Sequence, residues 1–379
     1  MRRPRYFSSA GVVFLCAMLS ACGGSSAPAA ATGPVSSAAG ASATSAGSSN
    51  LQAIVDAARK EGALSFEWGA GTLNAPDGVK KLGDAFNKHY GLNLDVQFTP
   101  GPSMSQMAAQ IAQEYSTQKP STTDVEIGYA DHVVPLMQAD ALAPIDWQTW
   151  APNIRGPDMM AGGGRAIPFE TTTPGLTYNS GKLTGSAAPR SLADLLKPEY
   201  KGHIAIQQFG NPFQYLALPE FWGEAKVMDF LKQLVPQSAG ILRCTEETRI
   251  ASGEFDVLAE SCSQSQTLRL KATGAPLGFA IPSDAVFLDQ LYLSVPKNSA
   301  HPNAAKLWVD FLMSREAQDI IYDQEFADSN VVPGSKTAKD IQTLRASGSQ
   351  VATLDVDLYQ KEGAKKLGDL TAAIQRAIH

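Results

Sequence analysis

The stretch LQAIVDAARKEGALSFEW, residues 51–68, decides the fold of this 379-residue chain. Its apolar residues share one helical face: Leu51, Ile54, Val55 and Ala58. Gly62 is suited to end that helix, because glycine readily adopts the left-handed conformation found after a helix C-terminus. The apolar run 63–68 then predicts a buried strand. A helix that leads directly into a buried strand is typical of α/β proteins.

Outward from this stretch, helix and strand patterns keep alternating. The next patterns predict helices over 79–90 and 104–115 and strands over 94–98 and 125–128. Gly91 is suited to end the first of these helices, and Ser103 is suited to cap the start of the second. Strands that alternate with helices predict a parallel sheet with both faces covered.

A second series of patterns follows after about residue 180. Strands are predicted over 203–207, 255–259 and 276–281, and helices over 192–196, within 221–234, from 301 onward and over 368–378. About 330 residues with such patterns exceed what one hydrophobic core comfortably serves. The sequence therefore predicts two α/β lobes.

Three segments together resemble the family 1 extracellular solute-binding proteins. Residues 51–62 resemble the opening helix of that family, and SLADLLKPEYKGHIAI, residues 191–206, resembles its segment that leads into the second lobe. HPNAAKLWVDFLMSREAQ, residues 301–318, is similar to its most recognisable helix. The resemblance implies an α/β, type 2 periplasmic-binding-protein fold, in which two lobes are joined by two crossover strands with a cleft between them.

This resemblance also implies boundaries and partners. The crossovers are expected near 171–179 and 283–295. Lobe 1 would comprise 51–173 plus 293–379, and lobe 2 would comprise 174–292. Members of the family serve ATP-driven importers for ferric ion, polyamines, thiamine, phosphonates or sugar phosphates. We therefore expect a monomer that captures a small-molecule solute and delivers it to the permease and ATPase complex of an ABC importer.

The first residues predict export and a lipid anchor. Arg2, Arg3 and Arg5 precede an apolar run, 11–19, which is shorter than the ~20 residues that a membrane span needs and is typical of a signal peptide. LSACG, residues 19–23, matches the lipobox of bacterial lipoproteins, with Cys22 as the lipidated residue. An ordinary secretory signal, with Cys22 incidental, is the alternative.

The predicted segments of the N-terminal region follow from this motif. Residues 1–21 form the signal peptide, and 22–50 form the lipidated cysteine and a disordered tether of small residues. The mature protein would lie outside the cytoplasm, anchored to the outer face of the cytoplasmic membrane or held in the periplasm.

Charge and cysteine content narrow the function. Loss of 1–21 removes three arginines and no acidic residue, which changes the formal net charge from −6 to −9. So acidic a surface argues against a nucleic-acid partner. In an oxidising compartment, Cys244 and Cys262 are expected to form a disulfide. Two unpaired buried thiols are the alternative.

Candidate ligand contacts follow predicted strands, because open α/β sheets bind ligands beyond the carboxyl ends of their strands. In lobe 1 these candidates are Trp68, Gly69, Gly71, Thr72, Ser103, Tyr129 and Asp131. In lobe 2 they are Asn211, Phe213, Thr245, Ser261 and Ser263. The expected disulfide would tie two of the lobe 2 loops together at the mouth of the cleft.

The ligand is left open among several classes. Ferric-binding members have adjacent tyrosines where this chain reads SCSQ, residues 261–264, which disfavours iron. A polar organic solute is expected instead: a phosphonate, a phosphate ester, a carboxylate or a polyamine. Acidic residues near the predicted cleft favour a polyamine if they face it: Glu67, Asp131, Glu246 and Glu260.

Two other functions are weighed against import. A ferric-iron-binding protein and a solute sensor that reports to a membrane kinase share the same features. The sequence contains no G-x-S-x-G elbow, no H-E-x-x-H motif and no phosphate-binding G-x-x-x-x-G-K loop. We therefore expect neither an enzyme nor a resident metal or cofactor.

Overall fold

A computed structural model describes residues 38–379, with side-chain surroundings from residue 49 onward. The predicted signal peptide, Cys22 and the first part of the predicted tether lie outside the described residues. The first described helix runs from Ala38 to Glu61 and thus begins earlier than the expected Leu51. Residues 38–50, predicted as disordered tether, are therefore helical. Their alanines have a high helix propensity, and an existing helix is extended more easily than a new one is started.

Helices and strands alternate through most of the described chain. The helices are α1 Ala38–Glu61, α2 Asp77–Tyr90, α3 Met104–Ser116, α4 Ala130–Gln138, α5 Asn211–Leu216, α6 Glu224–Leu234, α7 Thr248–Ala251, α8 Gln264–Ala272, α9 Pro302–Leu312, α10 Arg315–Glu325, α11 Lys336–Ala346, α12 Val356–Glu362 and α13 Ala364–Ile378. The strands are β1 Ala63–Gly69, β2 Asp95–Gly101, β3 Glu126–Gly128, β4 Ile167–Thr172, β5 Gly175–Asn179, β6 Ile204–Gln207, β7 Ser238–Leu242, β8 Val257–Ser261, β9 Leu277–Ala280, β10 Val286–Ser294 and β11 Val351–Thr353.

Lobe 1 contains β1 and β2, which pair in parallel, and a second group of strands around β10. β10 pairs antiparallel with β3 and β4 and parallel with β11. The backbone N–H of Asp124 donates to Ser65 O at 2.8 Å and so links the segment before β3 to β1. The prediction of a purely parallel sheet was wrong, because β10 brings the chain back from lobe 2 and runs against β3 and β4.

Lobe 2 contains a five-stranded sheet in the order β7-β6-β8-β5-β9. β6 runs parallel to β7 and β8, whereas β5 runs antiparallel to β8 and β9. The chain passes from lobe 1 to lobe 2 between β4 and β5, at 173–174, and returns between β9 and β10, at 281–285. These crossovers fall within the first predicted range and at the start of the second.

The lobe 1 core is built around large aromatic rings from β1, α2 and α9. Phe66, Trp68, Phe86, Trp308 and Phe311 are all almost completely buried and belong to one apolar cluster. Burying a ring of this size stabilises the folded state by roughly 2–3 kcal/mol relative to leaving it exposed. The segment 301–318, on which the family resemblance partly depends, spans α9 and the start of α10, and its α9 part supplies two of these rings.

A second apolar cluster runs from lobe 2 into the neighbouring part of lobe 1. It joins Leu136 of α4 and Phe287 of β10 to Phe213, Leu231 and Ile374 of lobe 2 and the C-terminal helix. α12 packs against α4, and α13 packs against α5 and α6. The end of the chain therefore contacts both lobes. Among the described helices, none is both long and apolar enough to cross a membrane.

Candidate functional site

A cavity of about 220 Å³ lies where α4, α5, β10 and the C-terminal segment meet. We call it the inter-lobe pocket. Its described lining residues are Tyr129, Ala130, Asp131, Asn211, Gln214, Tyr215, Asp289, Leu354, Tyr359, Ala364, Leu367, Gly368 and Thr371. Asp131 and Asp289 are the acidic members of this set, and the set contains no lysine, arginine or histidine. The pocket wall is therefore negative and rich in phenol groups.

The lobe 1 wall is formed by the turn between β3 and α4. Gly128 ends the strand, and a Cβ there would lie 2.5 Å from the Glu126 carboxylate and 2.8 Å from His132 Cβ, so only glycine fits. The Tyr129 backbone N–H donates to His132 Nδ1 at 3.2 Å. Asp131 lies in the first turn of α4, where the helix dipole favours a negative charge. This turn therefore holds Tyr129 and Asp131 at the pocket.

The carboxylate of Asp289 has no internal partner in the described part of the chain, where it makes neither a hydrogen bond nor an ion pair. Burial raises the pKa of Asp289 to about 8, and the nearby charge of Asp131 raises it further in the same direction. Asp289 is partly buried, and removing water from a carboxyl group that has no partner costs free energy. A positively charged group in the pocket would offset that cost by favouring the ionised form.

The phenol groups around Asp289 stay neutral at physiological pH. Burial raises the pKa of Tyr215 well above its ordinary value, and the carboxylates of Asp289 and Asp131 add to the effect. Burial also raises the pKa of Tyr129, with Asp289, Glu170 and Asp131 adding to the rise, and burial and Asp131 raise the pKa of Tyr359. The Tyr215 ring stacks on Phe287 with a centroid distance of 4.2 Å. These tyrosines thus offer hydroxyl groups and ring faces but no charge of their own.

The lobe 2 wall comes from the turn between β6 and α5. Gly210 has a φ of +66°, and its backbone N–H donates to the Gln207 side chain at 2.6 Å. A Cβ at Gly210 would lie 2.7 Å from Ile374 of α13, so glycine permits this helix to approach. Gly210 takes the N-cap position of α5, and Asn211 is the first helical residue. Asn211 itself lines the pocket.

Two of the predicted ligand contacts lie in the apolar cores. Trp68 is fully buried, stacks on Phe66 at 4.3 Å and donates its indole N–H to Val125 O at 2.7 Å. Phe213 is also fully buried, 6.0 Å from the ring of Phe230. Alternation along β1 turns Trp68 into the core, and the short helix α5 turns Phe213 away from the pocket. Neither ring contacts the pocket.

The remaining predicted residues fall into two groups. Tyr129, Asp131 and Asn211 come together in the inter-lobe pocket. The others do not line it: Gly69, Gly71, Thr72, Ser103, Thr245, Ser261 and Ser263. Ser103 caps α3, where its hydroxyl accepts from the Gln106 N–H at 3.4 Å. That role satisfies it without a ligand.

The two predicted disulfide partners lie side by side. The sulfur atoms of Cys244 and Cys262 are within bonding distance, with a Cα–Cα distance of 5.6 Å. Gln207, at the end of β6, donates to Cys262 Sγ at 3.2 Å. The pair therefore connects the loop after β7 to the loop after β8, next to the strand that leads to α5.

Of the acidic residues predicted near the cleft, only Asp131 lines the pocket. Glu260 is fully buried at a φ of +53°, and neither carboxylate oxygen has a hydrogen-bond partner among the described residues. Burial raises its pKa to about 8. Glu246 accepts from the Arg243 backbone N–H at 2.7 Å. Glu67 is partly buried beside Gly101.

Sequence reasoning missed several pocket residues. Asp289 lies within a strand, and Tyr359 and Thr371 lie in the last helices, so none follows a strand end directly. Tyr215 is two residues beyond the predicted Phe213, at a position that faces the pocket instead of the core. The unusual Asp within the apolar run VFLDQLYLS of β10 was a signal that could have identified Asp289.

A second contact between the lobes lies away from the pocket. Gln264, at the start of α8, accepts from the Thr173 N–H at 2.6 Å and donates to Phe326 O at 3.3 Å. Arg269 of α8 donates to Glu325 of α10 at 3.0 Å. Burial raises the pKa of the adjacent Glu170 to about 8, with Glu325 adding to the rise and Arg269 opposing it. We call this the inter-lobe contact.

Two α/β lobes, joined by crossover strands and meeting at a pocket, define a solute-binding protein with the type 2 periplasmic-binding-protein fold. The chain belongs to the family described as bacterial extracellular solute-binding protein, which residues 81–353 match. The match ends before α12. Family membership places the folded part of the chain outside the cytoplasm and makes solute binding its general role.

Two curated relatives are similar to part of the chain. A protein of unassigned function from Haemophilus influenzae is 29% identical over 173 residues, which is 44% of this chain and 49% of the relative. A Fe(3+)-binding periplasmic protein from Serratia marcescens is 31% identical over 159 residues, 41% of this chain and 45% of the relative. The alignments thus span about half the length of these relatives.

Solved structures share the fold over most of the chain. The substrate-binding protein of an ABC transporter from Agrobacterium tumefaciens has a TM-score of 0.67 at 18% identity, covering 84% of this chain and 95% of that one. A Trichodesmium protein in complex with iron and citrate has a TM-score of 0.62 at 19% identity, covering 83% of this chain and 99% of that one. The substrate-binding protein of a spermidine/putrescine ABC transporter from Streptococcus pneumoniae has a TM-score of 0.61 at 15% identity. It covers 83% of this chain and 99% of that one. At these identities the likeness shows the fold alone.

Proposed function

We propose that this chain captures a small organic cation, with linear polyamines as the leading class, and delivers it to an ABC importer. The observation that carries the proposal is the charge of the inter-lobe pocket. Asp131 and Asp289 line it together with three tyrosines, and no basic side chain is among its described lining residues. A cation is the ligand charge that such a wall attracts.

An ammonium group matches this wall in two ways. It would form an ion pair with Asp289, whose carboxylate has no partner among the described residues. It would also lie against phenol rings, whose negative faces attract cations by about 0.5–2 kcal/mol each. A phosphonate, phosphate ester or carboxylate would instead face the carboxyl groups of Asp131 and Asp289, with no basic side chain among the described lining residues. The pocket therefore disfavours the anionic solutes that the sequence left open.

The size of the pocket supports a small ligand. Its volume of about 220 Å³ lies below the roughly 300–1,000 Å³ of sites for drug-sized molecules. Asn211 and Gln214 supply amide groups from lobe 2. A short diamine or triamine would fit these dimensions and would contact both lobes.

Ferric ion is the second candidate. Phenol and carboxylate oxygens converge in the pocket, and the relative from Serratia marcescens is named as an Fe(3+)-binding protein. However, burial and nearby carboxylates hold the pKa of Tyr215 well above its ordinary value, which opposes the phenolate form that iron needs. The loop 261–264 also lacks tyrosines. We therefore place the organic cation first.

The predicted lipid anchor supports delivery of the solute to the importer. Lipidation at Cys22 would keep the receptor at the membrane while residues 23–50 give it reach toward the permease. A Cys244–Cys262 disulfide would brace the loops beside the lobe 2 wall. We also propose that the receptor acts as a monomer. A sensor role would use the same pocket, so a permease and an ATPase encoded beside this gene would favour import.

A thermal-shift screen tests the ligand class. The mature chain would be heated with putrescine, spermidine, thiamine, a phosphonate, a sugar phosphate, citrate and ferric citrate. A ligand that binds only the folded state stabilises it by about 2.7 kcal/mol at a hundredfold excess over Kd, so a rise of several degrees is expected with the amines. A rise with ferric citrate and none with amines would transfer the proposal to iron. A rise with an anion alone would refute both.

A further inference from the structure

The chain ends in a segment that contacts both lobes, residues 354–379, which we call the C-terminal strap. It lies beyond the end of the family match. Its helix α12 packs against α4 of lobe 1, and its helix α13 packs against α5 and α6 of lobe 2. Gly363, with a φ of +81°, separates the two helices. The strap is therefore a further link between the lobes, in addition to the two crossovers.

The strap also builds one wall of the inter-lobe pocket. The strap residues in that wall are Leu354, Tyr359, Ala364, Leu367, Gly368 and Thr371. The carbonyl of Leu367 accepts from Gln214 Nε2 at 2.8 Å, and Gln214 is itself a lobe 2 member of the pocket. Glu220, between α5 and α6 of lobe 2, pairs with Lys361 of α12. Buried and exposed contacts thus fix the strap across the pocket.

Tyr359 is the strap residue best suited to recognise a cation. Its side chain is only 8% exposed, and its hydroxyl makes no hydrogen bond with any described residue. Burial raises its pKa, and the charge of Asp131 adds to the rise, so the phenol lies within electrostatic reach of that carboxylate. Because this hydroxyl has no partner among the described residues and is reached by solvent, it can accept a hydrogen bond from a bound ammonium group.

We propose that the C-terminal strap is part of the solute site and that Tyr359 is a specificity-determining residue that contacts the bound cation. This inference rests on the proposed function, because it takes the inter-lobe pocket as the site of solute binding. Asp131 from lobe 1 and Tyr359 from the strap hold the same ammonium group. Solute selection then depends on a segment outside the matched family region.

Gly368 provides the sharpest test, because it lines the pocket and an added Cβ would have no heavy atom within 4 Å. A leucine there is compatible with the backbone and raises helix propensity by about 0.5–1 kcal/mol, so the fold is expected to persist. The leucine side chain would occupy the pocket. We expect Gly368→Leu to weaken putrescine and spermidine binding at least 100-fold by calorimetry, without lowering Tm. Gly368→Ala adds only a methyl group at the same position and should weaken binding far less than Gly368→Leu does.

Tyr359 variants test the contact itself. Tyr359→Phe removes only the hydroxyl and should weaken binding about five- to tenfold, and Tyr359→Ala should weaken it more than 30-fold. Tyr322→Phe is the control, since Tyr322 does not line the inter-lobe pocket. If wild type binds no amine, the proposed function fails. If wild type binds amines while Gly368→Leu and Tyr359→Phe bind equally well, the strap inference alone is overturned.

Discussion

The inter-lobe pocket and the inter-lobe contact lie at the same boundary between the lobes, yet their polar groups are satisfied differently. At the contact, Gln264 bonds to Thr173 and Phe326, and Arg269 donates to Glu325. In the pocket, the carboxylate of Asp289 has no such partner among the described residues. The acids at the contact thus have Arg269 as an internal cation, whereas Asp289 in the pocket has no basic partner among the described residues.

This difference assigns distinct roles to two similar acids. Glu325 and Asp289 are both buried enough for desolvation to raise the pKa, but Arg269 opposes the rise only at Glu325. An acid with an internal cation stabilises a lobe arrangement. Under the proposed function, Asp289 gains its cation from the solute, and the free energy of that pairing contributes to solute affinity. The following substitutions test this division.

The largest expected effect is at Asp289. Asp289→Asn keeps the shape of the side chain but removes the charge, so putrescine affinity should fall at least 100-fold by calorimetry. The Tm of the ligand-free protein should stay the same or rise, because a costly buried carboxyl group is lost. Asp229→Asn, on the exposed surface of α6, should leave affinity unchanged. Unaltered affinity in Asp289→Asn would show that the pocket is not the cation site.

The pH dependence of binding is the next largest effect. The pKa of Asp289 is about 8 in the ligand-free protein, and a bound cation favours the ionised form. Below that pKa, binding must release a proton, so putrescine affinity should rise by up to about tenfold per pH unit between pH 6 and 8. Calorimetry in buffers of different ionisation enthalpy would measure the proton release. A flat profile would contradict the assignment of the charge to Asp289.

The inter-lobe contact should have a smaller effect on binding and a clear one on stability. Arg269→Ala leaves Glu325 and Glu170 without their nearby cation, which should lower Tm by a few degrees and weaken solute binding about three- to tenfold. Arg249→Ala breaks a solvent-exposed pair with Glu254 and is expected to change little. A 100-fold loss of putrescine affinity in Arg269→Ala would show that the inter-lobe contact affects binding as strongly as the pocket does, which contradicts the proposed division.

The smallest effect concerns an acid that belongs to neither region. Glu260 is fully enclosed, and its pKa is about 8 in the folded protein against 4.5 ordinarily. Between these values the folded state binds more protons than the unfolded state, so stability falls as pH rises from about 4.5 to 8. Glu260→Gln should reduce that fall and raise Tm by a few degrees at pH 8, with little change at pH 5. The control is Glu199→Gln at an exposed glutamate, which should leave the pH dependence of Tm unchanged. Parallel melting curves for wild type and Glu260→Gln would refute this role.

The sequence was sufficient to predict the alternation of helices and strands, because those signals are local. The helix face that begins at Leu51, the strand 63–68 and the apolar helix after 301 depend on residue spacing alone. The direction of β10 was not predictable in this way, because it depends on where the chain re-enters lobe 1 from lobe 2. Tyr129, Asp131 and Asn211 were predicted as ligand contacts because they follow strand ends, and all three line the inter-lobe pocket.

The rest of the site depends on long-range packing. Trp68 and Tyr359 illustrate the limit: the first was expected at the ligand and lies in the core, and the second was not expected and lines the pocket. A side chain near a strand end points inward or outward according to the pleat and its neighbours. A C-terminal helix reaches the pocket only because Gly210 permits its approach to α5. Contacts of this kind join residues far apart in sequence, so they produce little recognisable pattern in the sequence around either residue.

A crystal structure of the mature protein with bound spermidine tests the central claim most directly. We expect an amine nitrogen within about 2.7–3.2 Å of a carboxylate oxygen of Asp289, between the start of α4 and the C-terminal strap. A second carboxylate contact with Asp131 is expected on the same side of the pocket. Spermidine bound elsewhere, with Asp289 still without a partner, would contradict the claim that the unpaired acid at the lobe boundary selects the solute.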